Sequence, residues 1–142
     1  MPTRKGHAVW RGDLKNGSGT LGTETDLLNE VPYSYPSRFQ QGTGTNPEEL
    51  LAAAHAACFT MAFSNILAGA GHEPTRVSTQ AHVTLSTEGG AHISSIELHC
   101  EAEVPGIDVA TFQRCAEEAK GGCPLSKALA AVDIQLEAKL SN

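Results

Sequence analysis

Cysteine is the residue type with the clearest potential chemistry in this chain. Cys58 lies in a long apolar segment, and Cys123 lies in a Gly-Gly-Cys-Pro turn far along the sequence. The chain has no C-x2-C pair, so its cysteines lack the spacing of a structural zinc site. Cys100 and Cys115 fall on apolar faces of a predicted strand and helix, where a thiol packs as a small hydrophobic side chain. Cys58 and Cys123 together indicate a thiol redox centre with an attacking and a resolving sulfur.

The pattern alone leaves alternatives open for both thiols. Cys123 follows two glycines and precedes Pro124, which suits the first turn of a helix. The amide groups there lower a thiol pKa, and turns often expose reactive groups. Cys123 therefore fits a reactive thiol or a simple helix cap. Cys58, in a run of alanines, fits a packed thiol as well as a reactive one.

Arg38 and Glu49 are the charged residues that could bias the proton on Cys58. The thiolate is the nucleophile, and a guanidinium can stabilise it while bonding a carboxylate. Glu49 precedes Cys58 by nine residues on the same predicted helix, which is 2.5 turns and places the two on opposite faces. Glu49 joins the site if the Arg38 loop reaches across or a second chain contributes. Otherwise Glu49 caps the helix and Arg38 is an ordinary surface residue.

The elements that must position these residues follow from hydrophobic periodicity and turn signals. They predict one domain over residues 1–142 with an α+β fold, a largely antiparallel sheet and a long central helix. Asn46 and Pro47 mark the start of that helix. In chain order we expect a hairpin over 5–25, an irregular stretch over 31–46, a helix from 47 to about 70, strands over 76–86 and 92–104, helices over 108–120 and 124–130, and a strand over 133–140.

Composition narrows the function classes. The chain has 142 residues, a net charge of −6 and no lysine or arginine cluster, so nucleic-acid binding is not expected. The charged N-terminus has no apolar stretch after it, which predicts no signal peptide and a cytoplasmic location. Aromatic residues are only 5% of the chain, and small side chains fill little volume. The thin core of one subunit therefore predicts an oligomer.

Residues 50–71 contain no charged side chain and are long enough to span a bilayer. The segment is mainly alanine rather than leucine, and polar residues such as His55, Thr60 and Asn65 interrupt it. We therefore expect a helix buried in a soluble core, and no membrane. His55 lies three residues before Cys58 and could shuttle a proton, although packing is the commoner role for such a histidine. Ser126 is expected only to shape the last short helix.

Three stretches together resemble the OsmC/Ohr family of thiol-dependent peroxidases. They are GTGTNPEEL at 42–50, AAAHAACF at 52–59 and CPLSKAL at 123–129. The Ser-Arg-Phe stretch at 37–39 and the Val-Pro-Gly-Ile-Asp turn at 104–108 are closer to the OsmC branch. The resemblance extends over essentially the whole chain.

The resemblance implies an intertwined homodimer with two active sites at the subunit interface. It makes Cys58 the peroxidatic thiolate and Cys123 the resolving thiol, with Arg38 activating Cys58 and Glu49 orienting Arg38. Organic hydroperoxides, and less efficiently H2O2, would be reduced through a Cys58 sulfenic acid and a Cys58–Cys123 disulfide. A small dithiol or lipoyl-type reductant would recycle the disulfide. The family needs no metal, haem, flavin or nicotinamide.

Apolar side chains near the thiols could set the substrate preference, with Tyr33, Phe39, Phe59 and Met61 as candidates. One alternative function is a redox sensor or hydrophobe-binding stress protein that is oxidised once without steady turnover. Another is a purely structural domain with buried thiols. Turnover with excess dithiol and titration of native thiols separate these three hypotheses.

Overall fold

Hairpins and helices alternate along the chain in the computed structural model, which describes residues 1–142. The contacts divide the chain into a first unit, Met1–Leu50, and a second unit, Leu51–Asn142. The single domain expected over 1–142 stays a prediction. The α+β fold class is confirmed, because both units combine strands with helical segments.

The first unit contains the predicted N-terminal hairpin, whose strands pair antiparallel. The stretch 31–46, predicted to be irregular, instead contains a third strand and a short helix. That prediction was wrong because Ser34 and Ser37 form a reciprocal capping box, and Pro36 is compatible with the first helical turn. The elements are β1 (Gly6–Arg11), β2 (Ser18–Thr23), β3 (Val31–Tyr33) and α1 (Tyr35–Phe39), and the sheet order is β1-β2-β3.

The long helix α2 (Pro47–Gly69) follows its sequence signals closely. The Asn46 side chain accepts a hydrogen bond from the Glu49 amide at 2.8 Å, which confirms the predicted N-cap. The helix ends where Gly71 adopts a positive φ of +88° and His72 N–H bonds back to the Leu67 carbonyl at 2.9 Å.

One face of α2 is buried and the other is not. His55, Phe59, Phe63 and Leu67, spaced four residues apart, are all fully buried. Met61 on another face is 76% exposed, and only 22% of the most apolar 18-residue stretch is buried. By length and composition α2 is also the one helix that could cross a membrane. The expected burial in a core is therefore confirmed on one face and wrong on the other.

The second unit holds a second three-stranded sheet rather than an extension of the first. Its first two strands pair antiparallel, and its last strand pairs parallel to the second. A helical connection between those two strands returns the chain to the same edge, which gives a parallel pair. The sheets are thus largely antiparallel, as predicted, with one parallel exception. The elements are β4 (Arg76–Ser86), β5 (His92–Glu103), α3 (Val109–Gly122), α4 (Pro124–Ala128) and β6 (Asp133–Leu140).

The core of the second unit lies between the buried stripe of α2, the inward side chains of β5 and the apolar stripe of α3. Phe63 and Phe112 meet edge to face with ring centroids 5.3 Å apart. Each fully buried phenylalanine stabilises the fold by about 1.5–3 kcal/mol, so these rings fix α2 and α3 firmly. Cys100 and Cys115 belong to this core, which confirms their predicted structural role.

Candidate active site

Cys58 and Cys123 are neighbours in the second unit, despite their distance in sequence. Cys58, on α2, is partly buried and packs against the core cluster that contains Cys123. Both are free thiols. The two side chains are close enough for a hydrogen bond and charge from Cys123 to raise the pKa of Cys58. The structure therefore brings together the two sulfurs that the sequence singled out, and their catalytic roles remain predictions.

The surroundings of Cys58 in its own unit disfavour a thiolate. Burial is the largest cause that raises the pKa of Cys58, and the Cys123 thiol raises it further. A hydrogen bond with the Leu125 backbone is the one contribution that lowers this pKa. No cationic side chain contributes. A reactive Cys58 therefore needs a positive group from outside these surroundings.

Cys123 is more enclosed than the sequence suggested. It is fully buried, and it is the N-cap residue of α4. Its Sγ accepts a hydrogen bond from the Ser126 amide at 3.3 Å. The expectation of an exposed turn was therefore wrong, because the apolar stripe of α3 and the core around it enclose the sulfur. The alternative that Cys123 caps the short helix is confirmed.

A buried histidine extends the polar contacts of Cys123. Ser126 Oγ lies 3.0 Å from Cys123 Sγ and 2.8 Å from His55 Nε2. His55 is fully buried, its Nδ1 has no hydrogen-bond partner, and burial lowers its pKa. The sequence interpretation gave Ser126 no such contact. A usable signal was present, because His55 precedes Cys58 by three residues and Ser126 follows Cys123 by three.

Arg38 pairs with Glu48 rather than with Glu49. Arg38 Nη2 and Nε donate to Glu48 Oε1 at 2.9 and 3.2 Å, and Nε lies 3.4 Å from Oε2. Glu48 is buried, whereas Glu49 is exposed and accepts a hydrogen bond from the Thr45 hydroxyl. Adjacent helical residues point about 100° apart, so only one of the two can meet Arg38. The expected Arg38–Glu49 pair is thus corrected to Arg38–Glu48, and a role for Glu49 in the site stays a prediction.

The bidentate contact holds the guanidinium plane of Arg38 in a defined orientation. A side chain held in this way can present its remaining N–H groups to an anion.

An apolar pocket of about 290 Å³ lies beside Arg38 in the first unit. Gly19 lacks a side chain, and a Cβ there would lie 2.6 Å from ring atoms of both Trp10 and Tyr33, so its absence lets the two rings approach. Of the four expected lining residues, Tyr33 and Phe39 are present, while Phe59 is buried in the core and Met61 is exposed elsewhere on α2. The lining consists of Trp10, Leu14, Tyr33, Ser34, Tyr35, Arg38 and Phe39.

The one group of side chains that could hold a metal ion is His82, Glu97 and His99, on neighbouring strands β4 and β5. Their donor atoms lie within 4.8 Å of one another, and all three side chains are 39–48% exposed. His82 Nδ1 and His99 Nε2 lie 3.9 and 4.0 Å from Glu97 Oε2. None of these residues belongs to the expected catalytic set.

The fold and the paired thiols define a cysteine-based redox protein. Residues 40–137 match the family described as OsmC-like protein, and the chain belongs to that family. It is 49% identical over 138 residues to peroxiredoxin OsmC of Escherichia coli (strain K12), covering 94% of this chain and 96% of that protein. The organic hydroperoxide resistance protein of Xanthomonas axonopodis pv. citri (strain 306) is 38% identical over 88 residues, or 61% of each chain.

Solved structures share the fold. The organic hydroperoxide resistance protein OhrB of Bacillus subtilis superposes with a TM-score of 0.71 at 27% identity, covering 95% of this chain and 98% of that chain. An organic hydroperoxide resistance protein from Elizabethkingia anophelis gives a TM-score of 0.72 at 26% identity, covering 100% and 97%. The predicted fold class and family are confirmed.

Proposed function

We propose that this chain is a thiol-dependent peroxidase that reduces organic hydroperoxides to alcohols, and H2O2 less efficiently. The observation that carries the proposal is the pair of neighbouring free thiols, Cys58 and Cys123. The pair lies in a chain that is 49% identical to a peroxiredoxin over nearly its full length. That relative's name describes a peroxidase that acts through cysteine.

In the first step, the Cys58 thiolate attacks the outer oxygen of ROOH. The O–O bond breaks, the alkoxide takes up a proton and leaves as ROH, and Cys58 becomes a sulfenic acid. Burial raises the pKa of Cys58, so the thiolate requires a cation. We assign this role to the Arg38 guanidinium, held by Glu48, which also stabilises the charge that develops on the leaving oxygen.

In the second step, Cys123 condenses with the sulfenic acid. A Cys58–Cys123 disulfide forms and water leaves. The closeness of the two sulfurs supports this role for Cys123. A small dithiol or lipoyl-type reductant then reduces the disulfide by thiol exchange. No step calls for a metal or an organic cofactor.

The preference for organic peroxides rests on the pocket beside Arg38. Four aromatic side chains line it together with the Arg38 guanidinium. A pocket of about 290 Å³ is at the lower end of the range for small-molecule sites. It suits the apolar group of an alkyl or aryl hydroperoxide, whereas H2O2 has no such group.

The exposed face of α2 supports a homodimer. Ala53, Ala57 and Met61 are exposed on one side of a helix that carries no charge between residues 50 and 71. Leaving that apolar face in water is unfavourable, and a second copy would bury it. Met61→Asp is expected to shift the protein to a monomer in analytical ultracentrifugation, with Glu88→Asp in an exposed turn as the control.

Four unpaired cysteines support a reducing compartment, and we infer a cytoplasmic location.

The test is consumption of cumene hydroperoxide and of H2O2 by the purified protein with excess dithiol. Multiple turnovers with the organic peroxide that vanish in Cys58→Ser are expected. Oxidation that stops after one equivalent would point to a redox sensor instead. Unreactive thiols in the native protein would make both cysteines structural.

A further inference from the structure

Apart from the core thiols Cys100 and Cys115, His55 is the buried titratable group that the peroxidase steps leave unused. Its ring is fully buried on α2, and Nε2 lies 2.8 Å from Ser126 Oγ. The same oxygen lies 3.0 Å from Cys123 Sγ. The contact joins residues 71 positions apart, so local chain geometry does not impose it. A continuous hydrogen-bonded chain therefore leads from a buried imidazole to the second sulfur.

We propose that His55, acting through Ser126, accepts the Cys123 proton when the disulfide forms and supplies a proton to the Cys123 thiolate when the disulfide is reduced. The inference rests on the proposed function and adds two residues to it. Ser126 contacts the reacting sulfur, while His55 is a positioning residue that acts through the serine hydroxyl.

Each hydrogen bond in this chain can be donated in either direction. The two directions correspond to the states before and after proton transfer. In the resting state the Cys123 thiol donates to Ser126 Oγ, and the Ser126 hydroxyl donates to neutral His55 Nε2. After transfer, Nε2–H donates to Ser126 Oγ, and the hydroxyl donates to a Cys123 thiolate. The Ser126 amide at 3.3 Å donates to the sulfur in both states and favours the thiolate.

Atoms balance through the step. The Cys123 thiolate attacks the Cys58 sulfur of the sulfenic acid, the S–S bond forms and the S–O bond breaks. The departing hydroxide takes up one proton to give water, and the relay supplies a proton equivalent to the one that Cys123 lost. In the reductive direction a thiol of the external dithiol loses its proton as it attacks Cys58, and this loss balances the proton that His55 passes through Ser126 to the leaving Cys123 thiolate.

The surroundings of His55 suit a base that holds a proton only briefly. Nε2 can accept only if the ring proton is on Nδ1, and Nδ1 has no partner. Burial is the only cause that shifts the pKa of His55, and it keeps the ring neutral at pH 7. No charged side chain contributes to this shift, and Cys58 lies about one turn further along α2. Without a carboxylate partner the imidazolium is not stabilised, so the proton returns readily.

The experiment is a single-turnover reaction with one equivalent of cumene hydroperoxide, followed from pH 6 to pH 9. Dimedone labelling of Cys58 reports the sulfenic acid, and mass spectrometry reports the disulfide. Ser126→Ala is expected to form sulfenic acid at the wild-type rate and to form the disulfide about tenfold more slowly at pH 6–7. The difference should shrink towards pH 9, where hydroxide in solution can take the proton without the relay. Ser126→Thr retains the hydroxyl and is expected to restore the rate.

His55→Gln provides a second variant, since glutamine can hydrogen-bond to Ser126 but cannot take a proton. It should show the pH profile of Ser126→Ala. A rate loss that is equal at every pH, or no loss in either variant, overturns the relay. Wild-type protein that forms no sulfenic acid on Cys58, or no Cys58–Cys123 disulfide, instead refutes the proposed function. The two failures are therefore distinguishable.

Discussion

The surroundings of Cys58 in the second unit and of Arg38 in the first unit differ in burial and in charge. In the second unit Cys58 packs against the apolar core that contains the fully buried Cys123, and burial raises the pKa of Cys58. In the first unit Arg38 keeps 37% of its side chain exposed and is held by a buried carboxylate. A thiol in an apolar environment is protected but protonated, whereas a half-exposed guanidinium is available but not nucleophilic. The role proposed for Cys58 therefore depends on a cation that its own surroundings do not supply.

The largest expected effect comes from removing the nucleophile. Cys58→Ser should abolish steady-state peroxide consumption, because no other thiol is both accessible and adjacent to Cys123. Cys115→Ala, which removes a thiol from the core, is the control and should keep turnover in protein that remains folded. Consumption of cumene hydroperoxide with excess dithiol is the measurement. Near-normal turnover in Cys58→Ser would contradict the assignment.

The next effect tests the source of positive charge. Arg38→Met should lower kcat/KM for the hydroperoxide by about 100-fold or more, the usual loss when one charged stabilising donor is removed. The pH dependence of Cys58 alkylation should move to higher pH in this variant. Arg38→Lys keeps a charge without the fork and should fall in between. An unchanged alkylation profile in Arg38→Met would show that the thiolate is stabilised by other groups.

Two adjacent glutamates offer a matched pair. Glu48→Gln weakens the bidentate contact with Arg38 and should lower kcat/KM by about tenfold, the equivalent of a charge-assisted hydrogen bond of about 1.5 kcal/mol. Glu49→Gln, one position along the same helix, should leave activity nearly unchanged. The same peroxidase assay compares them. Loss in Glu49→Gln alone would return the site to the pairing first expected from the sequence.

A substitution in the pocket beside Arg38 should change KM for an organic hydroperoxide more than KM for H2O2. Phe39→Ala removes an aromatic wall and should raise KM for cumene hydroperoxide several-fold, because a lost aromatic contact is worth about 0.5–1.5 kcal/mol. KM for H2O2 should stay the same. Equal effects on both substrates would mean that Phe39 supports the fold rather than the substrate.

The smallest expected effect is on the pH dependence of the free energy of unfolding. Burial lowers the pKa of His55 in the folded state, so the unfolded chain binds a proton more readily. The stabilisation is present above the unfolded pKa of about 6.5 and is lost as pH falls below it, by up to about 1.4 kcal/mol per pH unit. Urea unfolding at pH 7.5 and pH 5.5 should show a smaller decrease in His55→Gln than in the wild type. An equal decrease would assign the effect to other groups.

Local patterns predicted the parts of the fold that local forces determine. Alternating side chains gave the bounds of β4 and β6, and Asn46 with Pro47 gave the start of α2, because strand periodicity and helix caps act over a few residues. The parallel pairing of β6 with β5 was missed, since register between distant strands depends on the path of the connecting helices.

The candidate site likewise combines residues that the sequence identified with contacts that depend on tertiary packing. Cysteine type and position identified Cys58 and Cys123, but the choice between Glu48 and Glu49 depends on which helical face meets α1. Likewise, the contact of His55 with Ser126 exists only after α2 and α4 have packed together. Such contacts are tertiary, and a single sequence carries no periodic signal for them.

The two sulfurs differ in burial, and this difference determines which of them a reductant or a peroxide can reach. Cys123 is fully enclosed, whereas Cys58 is only partly buried. In the proposed cycle, a bulky dithiol approaching the Cys58–Cys123 disulfide would reach the sulfur of Cys58 first, so the mixed disulfide would form there with Cys123 as the leaving group. Enclosure also shields Cys123 from a second peroxide molecule, so irreversible oxidation to sulfinic acid is confined to Cys58. The difference in burial therefore directs both attack by the reductant and irreversible oxidation to Cys58.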